Sequence, residues 1–196
     1  MQVEVIRRSL CAIMGNGIDN ENPERIKWLN FVGVQIANLP LPTIAPTGGM
    51  IGDAKISEAR ATLEGLKNIG YCYRNIVLEE NSKTTRENII NLKPIIFFWK
   101  NEIPSNPDGE LVYYSHGVHI FCDLLRQQRV VWLARKHFAF IPGVWIETHG
   151  FQFDRTDWER FRERVSFQIE KANYHLPWIA NSLEIIRKPS LLRKFD

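Results

Sequence analysis

The chain has 196 residues, 44% of them hydrophobic and 24% charged, with 6 Trp, 11 Phe and a net charge of +3. That is enough apolar material for one sizeable core, and too little net charge for a protein that works chiefly by clamping nucleic acid. Three widely spaced cysteines, Cys11, Cys72 and Cys122, argue against a disulfide frame or a cysteine metal site and for reduced thiols in the cytoplasm.

No run approaches the roughly 20 apolar residues of a membrane span. Arg7-Arg8 ahead of residues 9–14 has the look of a signal peptide, but its apolar part is too short and stops at Gly15-Asn16-Gly17. It predicts a buried first strand instead. Residues 23–38 repeat at helical spacing through Ile26, Leu29, Val32 and Ile36. A brief strand follows at residues 42–46, closed by Thr47-Gly48-Gly49. Ser57 is a good N-cap for a second helix, with Ala59, Leu63 and Leu66 on one face and Gly70 at its end.

Residues 75–78 predict a third strand, and residues 85–99 a third helix that Pro94 must kink or split. Residues 101–109, with two prolines and a glycine, predict an exposed loop. Beyond it the pattern suggests a fourth strand at 111–114, a fourth helix at 117–128 and a fifth strand at 130–133. Residues 141–150 predict a loop enclosing a short strand at 144–147. A charged amphipathic helix over 157–174 has Trp158, Phe161, Val165 and Ile169 as its stripe, and Pro177 opens another helix through residue 186. Strand–helix alternation of this kind predicts a three-layer α/β sandwich with a mostly parallel sheet of about five strands. That domain covers residues 1–138, and residues 139–196 are expected to form a loop and helical extension packed on it.

In a parallel sheet all βα turns lie along one edge, where open α/β sheets bind ligands. Four of these turns are rich in glycine or polar groups: Gly15-Asn16-Gly17, Thr47-Gly48-Gly49, Glu79 through Asn88, and Ser115-His116-Gly117-Val118-His119. Gly48-Gly49 ahead of a helix start suits an anion, or equally a tight turn. Thr84-Thr85-Arg86-Glu87 has the form of a capping box. Glu79 ends a buried strand, where a carboxylate needs a partner or a purpose. Glu58, just after an N-cap, suits the helix dipole. His116 and His119, three apart at an expected helix start, would share a face. Two histidines are a weak metal signal, and no residue is assigned to a metal. His119 with Glu79 or Glu58 could equally supply acid–base chemistry. No dinucleotide fingerprint, P-loop or nucleophile elbow is present.

The run Glu79-x-x-Ser82-x-x-Thr85-x-Glu87-Asn88 resembles the signature of the YdcF-like family of bacterial proteins at every stated position. Gly15-Asn16-Gly17 with Arg25, Thr47-Gly48-Gly49 followed by Ser57-Glu58-Ala59, and Ser115 through His119 support the resemblance, which spans residues 13–128. It implies a Rossmann-like fold and a pocket lined by Gly48, Gly49, Glu58, Glu79, Ser82, Thr85, Glu87, Asn88 and His119. It also implies S-adenosylmethionine or a nucleotide-like molecule as ligand. Two positions depart from the family: Cys122 stands where it has an arginine, and His116 where it has a serine.

The expected function is therefore binding of an anionic or nucleotide-like small molecule at the carboxyl edge, with Glu79, His119 and Glu58 as candidate catalytic groups. Gly15, Asn16, Gly17, Thr47, Gly48, Gly49, Ser82, Thr85, Glu87, Asn88, Ser115 and His116 are the candidate ligand-binding residues. A non-catalytic sensor or carrier using the same pocket is the first alternative. A macromolecular partner for the C-terminal helices is the second. Residues 151–196 hold nine Lys/Arg against seven Asp/Glu, so Arg155, Arg160, Arg162 and Arg164 look like an ordinary solvated face rather than a nucleic-acid stripe.

Overall fold

The structure, a computed structural model, describes residues 4–102 and 112–175. Its elements are β1 (Glu4–Ile13), α1 (Pro23–Ala37), β2 (Pro42–Pro46), α2 (Glu58–Asn68), α3 (Thr85–Asn101), β3 (Val112–Asp123), α4 (Leu124–Phe138), β4 (Val144–Phe151) and α5 (Asp157–His175). The strands form one sheet ordered β2-β1-β3-β4, every pair parallel. Parallel neighbours need long crossovers, and helices fill them, as the alternation predicts. By its internal contacts the chain divides into a first unit ending at Phe153 and a second, containing α5, that begins at Asp154.

Period-two alternation sends neighbouring side chains of β1 and β3 to opposite faces. Leu10, Ala12, Val118, Ile120 and Cys122 pack with Ile89, Leu92, Ile96 and Trp99 of α3 and with Val130, Leu133, Ala134 and Phe138 of α4. Cys11, Ile13 and Phe121 pack instead with Trp28, Leu29, Val32 and Ile36 of α1. Those four α1 residues are fully buried, each contributing about 1.5–3 kcal/mol of transfer free energy. Asn22 caps α1 by accepting from Glu24 N at 2.9 Å, with Pro23 at its first position. α3 runs unbroken through Pro94. The proline has no N–H for the Ile90 carbonyl, but the buried residues on both sides of it hold the helix to the core.

The segment predicted as the third strand does lie beside β2, through parallel bridges Ile44–Ile76 and Thr47–Glu79. Ile44 N donates to Asn75 O and Val77 N to Ile44 O, both at 2.8 Å. Pro46 accepts from Glu79 N at 3.0 Å but has no N–H to give in return. The ladder is interrupted there, so among the described residues the sheet has four strands and a bridged edge segment.

The largest correction concerns residues 111–133. β3 continues to Asp123, so residues 117–123 are strand rather than helix, and residues 130–133 lie inside α4 rather than forming a strand. Asp123, which accepts from Leu125 N at 2.9 Å, is where strand hands over to helix. The short strand expected at 144–147 is the full-length β4. In the second unit, Thr156 and Glu159 form a reciprocal capping box for α5. Of the expected stripe on α5, Ile169 is buried, whereas Trp158 and Phe161 are exposed and stack on each other. The helix expected from Pro177, and the loop expected at 101–109 from residue 103 onward, lie outside the described residues. Among the described residues no helix is long and apolar enough to cross a membrane.

All three cysteines are free. Cys11 and Cys122 are buried, and burial pushes each thiol up to about 12, whereas Cys72 is exposed. Only the thiolate attacks an aromatic disulfide reagent. Native protein should therefore react rapidly at Cys72 alone, and the other two thiols should appear only on unfolding; a thiol titration before and after adding denaturant checks this.

Candidate functional site at the carboxyl edge

Three of the four polar turns meet. The turn after β2 is tied to β1 by Thr47 N, which donates to Ile13 O at 2.8 Å. It is tied to the next turn by Gly48 N, which donates to Glu79 O at 2.9 Å, and by Gly49 N, which donates to Ser82 O at 2.6 Å. Gly48 has φ +125°, a conformation that L side chains rarely adopt, and a Cβ there would lie 2.8 Å from both Cβ and Oε2 of Glu58. The glycine lets α2 start directly against the strand end.

Glu79 is buried, and its carboxylate is fully engaged. Oε1 accepts from Asn81 N at 2.9 Å, Ser82 N at 3.1 Å and Asn91 Nδ2 at 2.9 Å. Oε2 accepts from the Ser82 hydroxyl, which also meets the Asn88 amide. The Ser82 hydroxyl faces two acceptors, Glu79 Oε2 and Asn88 Oδ1, and donates its one proton to one of them at a time. Glu79, Ser82 and Asn88 thus form one buried hydrogen-bonded knot. It fixes the loop from residue 79 to the start of α3.

Thr84 caps α3 by accepting from Glu87 N at 3.1 Å, while the Glu87 carboxylate takes Lys83 N rather than the cap residue's own N–H. The capping box is therefore shifted by one residue. Thr85 is half-buried at the first position of α3.

Glu58 crosses to the first turn, where Oε1 accepts from Gly17 N at 2.6 Å. Its Oε2 lies over Gly15 and Gly48, which have no Cβ to displace it. The neighbouring Arg25 is buried and fully tied down: its guanidinium donates to Asn16 O, Asn20 Oδ1 and Thr62 Oγ1 at 2.8, 2.8 and 3.2 Å. Burial pulls that guanidinium down to about 10 despite the opposing charges of Glu58 and Asp19. Half-buried Asn16 and Glu58, with exposed Gly17, are the solvent-facing members of the cluster.

The backbone groups expected to hold an anion are committed elsewhere. Gly48 N and Gly49 N serve the loop after residue 79. At the start of α2, Glu58 N donates to Gly49 O, Ala59 N to Gly48 O and Arg60 N to Ser57 Oγ. Gly48-Gly49 is a latch between turns rather than a phosphate cradle.

The fourth turn is not a turn. Ser115, His116 and His119 lie inside β3, opposite Arg7, Arg8 and Cys11 of β1. Residues three apart on a strand point to opposite faces, so the two histidines do not share one. His116 sits edge-on to Trp99 at 5.2 Å, and burial with Arg8 and Lys100 nearby lowers its proton affinity. His119 lies on the other face with His149 and Glu147 of β4, and its Nε2 finds no partner among the described residues. Glu79 belongs to the bridged segment beyond β2, separated from β3 by β2 and β1. Three strand spacings and three residues along β3 put Glu79 and His119 on the order of 15 Å apart. They cannot pass a proton between them directly.

Two carboxylates missed in the sequence help to shape this edge. Glu80 accepts from Ser57 Oγ at 2.6 Å and takes the Arg60 guanidinium at 3.2–3.3 Å, and the Ser57 and Arg60 hydrogen bonds hold it below the usual carboxylate range. Asp123, buried, closes β3 next to the end of β1. An N-cap reading of Asp123 ahead of the Leu-rich run of α4 would have found it.

No family model, curated protein or solved structure matches this chain.

Proposed function

We propose that this chain is a YdcF-like small-molecule-binding protein that takes a nucleoside-like ligand at the carboxyl edge, over the turn that follows β1. The chain leaves β1 toward β2 on one side and adds β3 on the other, which makes this the switch point of the sheet. Ligands of open α/β sheets bind in that crevice. The observation that carries the reading is Glu58. Its carboxylate hangs over the side-chain-free Gly15–Gly17 turn with one oxygen on Gly17 N–H, leaving Oε2 to accept from a ligand donor. A carboxylate beside such a turn is how dinucleotide-binding folds hold ribose hydroxyls. Because the Gly48 and Gly49 amides are occupied, the ligand is held through its sugar or another donor group rather than a phosphate. Ser82, Asn88 and Glu79 support the reading differently: the residues that carry the family resemblance build the scaffold behind the site.

Calorimetric titration with adenosine, S-adenosylmethionine and AMP tests this. Adenosine and S-adenosylmethionine should bind at least as well as AMP, and Glu58→Gln should weaken them about 10- to 100-fold, the range of one charge-assisted hydrogen bond. Equal affinity in Glu58→Gln, or no saturable binding of any of the three, would overturn the proposal.

A further inference from the structure

Glu147 and His149 lie two residues apart on β4, so both side chains leave the same face, and the register sets His119 of β3 opposite Glu147. His119 Nδ1 is 3.0 Å from His149 Nε2 and 3.5 Å from Glu147 Oε2. One ligand atom from each residue falls within 4.8 Å of the others. An ion bound tetrahedrally at about 2.0–2.1 Å holds its donors about 3.3–3.4 Å apart, and the two spacings observed here bracket that value.

We propose that His119, Glu147 and His149 bind a divalent transition-metal ion of the zinc class. Two imidazoles and one carboxylate select a borderline ion over calcium or magnesium, which prefer oxygen shells. Three protein ligands also leave a coordination position for water or a ligand oxygen, as in catalytic rather than structural sites.

The rings are held before any ion arrives. His149 stacks on Phe121 at 4.7 Å and 15°, and on His119 at 5.3 Å and 24°. His119 meets Trp145 edge-on at 4.9 Å. That indole lies where a Cβ on Gly117 would stand, so the glycine at this position makes room for it. The His119 side chain is 3% exposed while Glu147 is 52% exposed, which gives an ion a route in from the carboxylate side. This cluster lies on a sheet face and not at the carboxyl edge, so it does not depend on the nucleoside reading.

The test uses the full chain, stripped with chelator and titrated calorimetrically with zinc chloride, with cobalt chloride as a spectroscopic probe. One saturable equivalent should bind, and cobalt should develop visible bands of a low-symmetry, low-coordinate site. His149→Ala should weaken zinc about 100-fold and Glu147→Gln about tenfold, with circular dichroism unchanged. His137→Ala and His175→Ala should leave zinc binding unaltered. The absence of saturable binding, retention of full affinity in both His149→Ala and Glu147→Gln, or loss in the His137 or His175 variant would overturn the assignment.

Discussion

Replacing Glu79 with alanine should lower the unfolding free energy by about 3–5 kcal/mol, the largest loss expected from any single change at the carboxyl edge. The carboxylate is 4% exposed and accepts four hydrogen bonds, two from backbone amides, one from a hydroxyl and one from Asn91. Alanine takes away the carboxylate oxygen to which Asn81 N, Ser82 N and Asn91 Nδ2 all donate. Glu79→Gln keeps the shape but turns an NH2 toward groups that are themselves donors, so a loss of about 1–3 kcal/mol is expected. Urea titration at neutral pH measures both. If Glu79→Ala matched the wild-type midpoint, the knot would carry no stability and Glu79 would be available for chemistry.

Gly48→Ala should destabilise the chain by about 2–4 kcal/mol, combining backbone strain with overlap. Its φ of +125° disfavours any Cβ, and the added atom would meet Glu58 Cβ at 2.8 Å. That Cβ is anchored to the first turn of α2, so it cannot swing away as a side-chain tip could. Gly70→Ala is the matching control. Gly70 also has positive φ, at +96°, but a Cβ there meets nothing within 4 Å. It should cost only the conformational part, about 1 kcal/mol. The difference between the two midpoints reads the contact with Glu58, and equal losses would show that α2 can move away from the glycine.

Much of the first half of the fold is legible in the sequence because its signals are local. Pro23 behind Asn22, Ser57 ahead of Glu58 and Thr84 ahead of Glu87 each mark a helix start through a contact spanning at most three residues. The same locality makes the knot around Glu79 readable as a special place, though not as a structural one. β3 is hidden for the opposite reason. Ser115-His116-Gly117 has the composition of a turn, but each residue suits a strand once its distant partners are known: His116 has Trp99 and Gly117 has Trp145. With the strand ended early at 114, the remaining apolar residues fell out of step. Residues 130–133 then read as a strand, although Val130 and Leu133 share a helical spacing with Ala134 and Phe138. The meeting of His119 with Glu147 and His149 depends on the β3–β4 register, which no local spacing encodes.

That register has a partner on the other side of β3, with a bearing on how the protein is made. Glu4 pairs with Val112 and Ile13 with Phe121, so the middle of the sheet joins segments about a hundred positions apart. A nascent chain emerging from the ribosome has β1 and β2 early, but everything up to Asp123 must follow before β1 gains its second neighbour. Until then the edge of β1 that β3 will pair stands open, its backbone N–H and C=O groups free to take a strand from another chain.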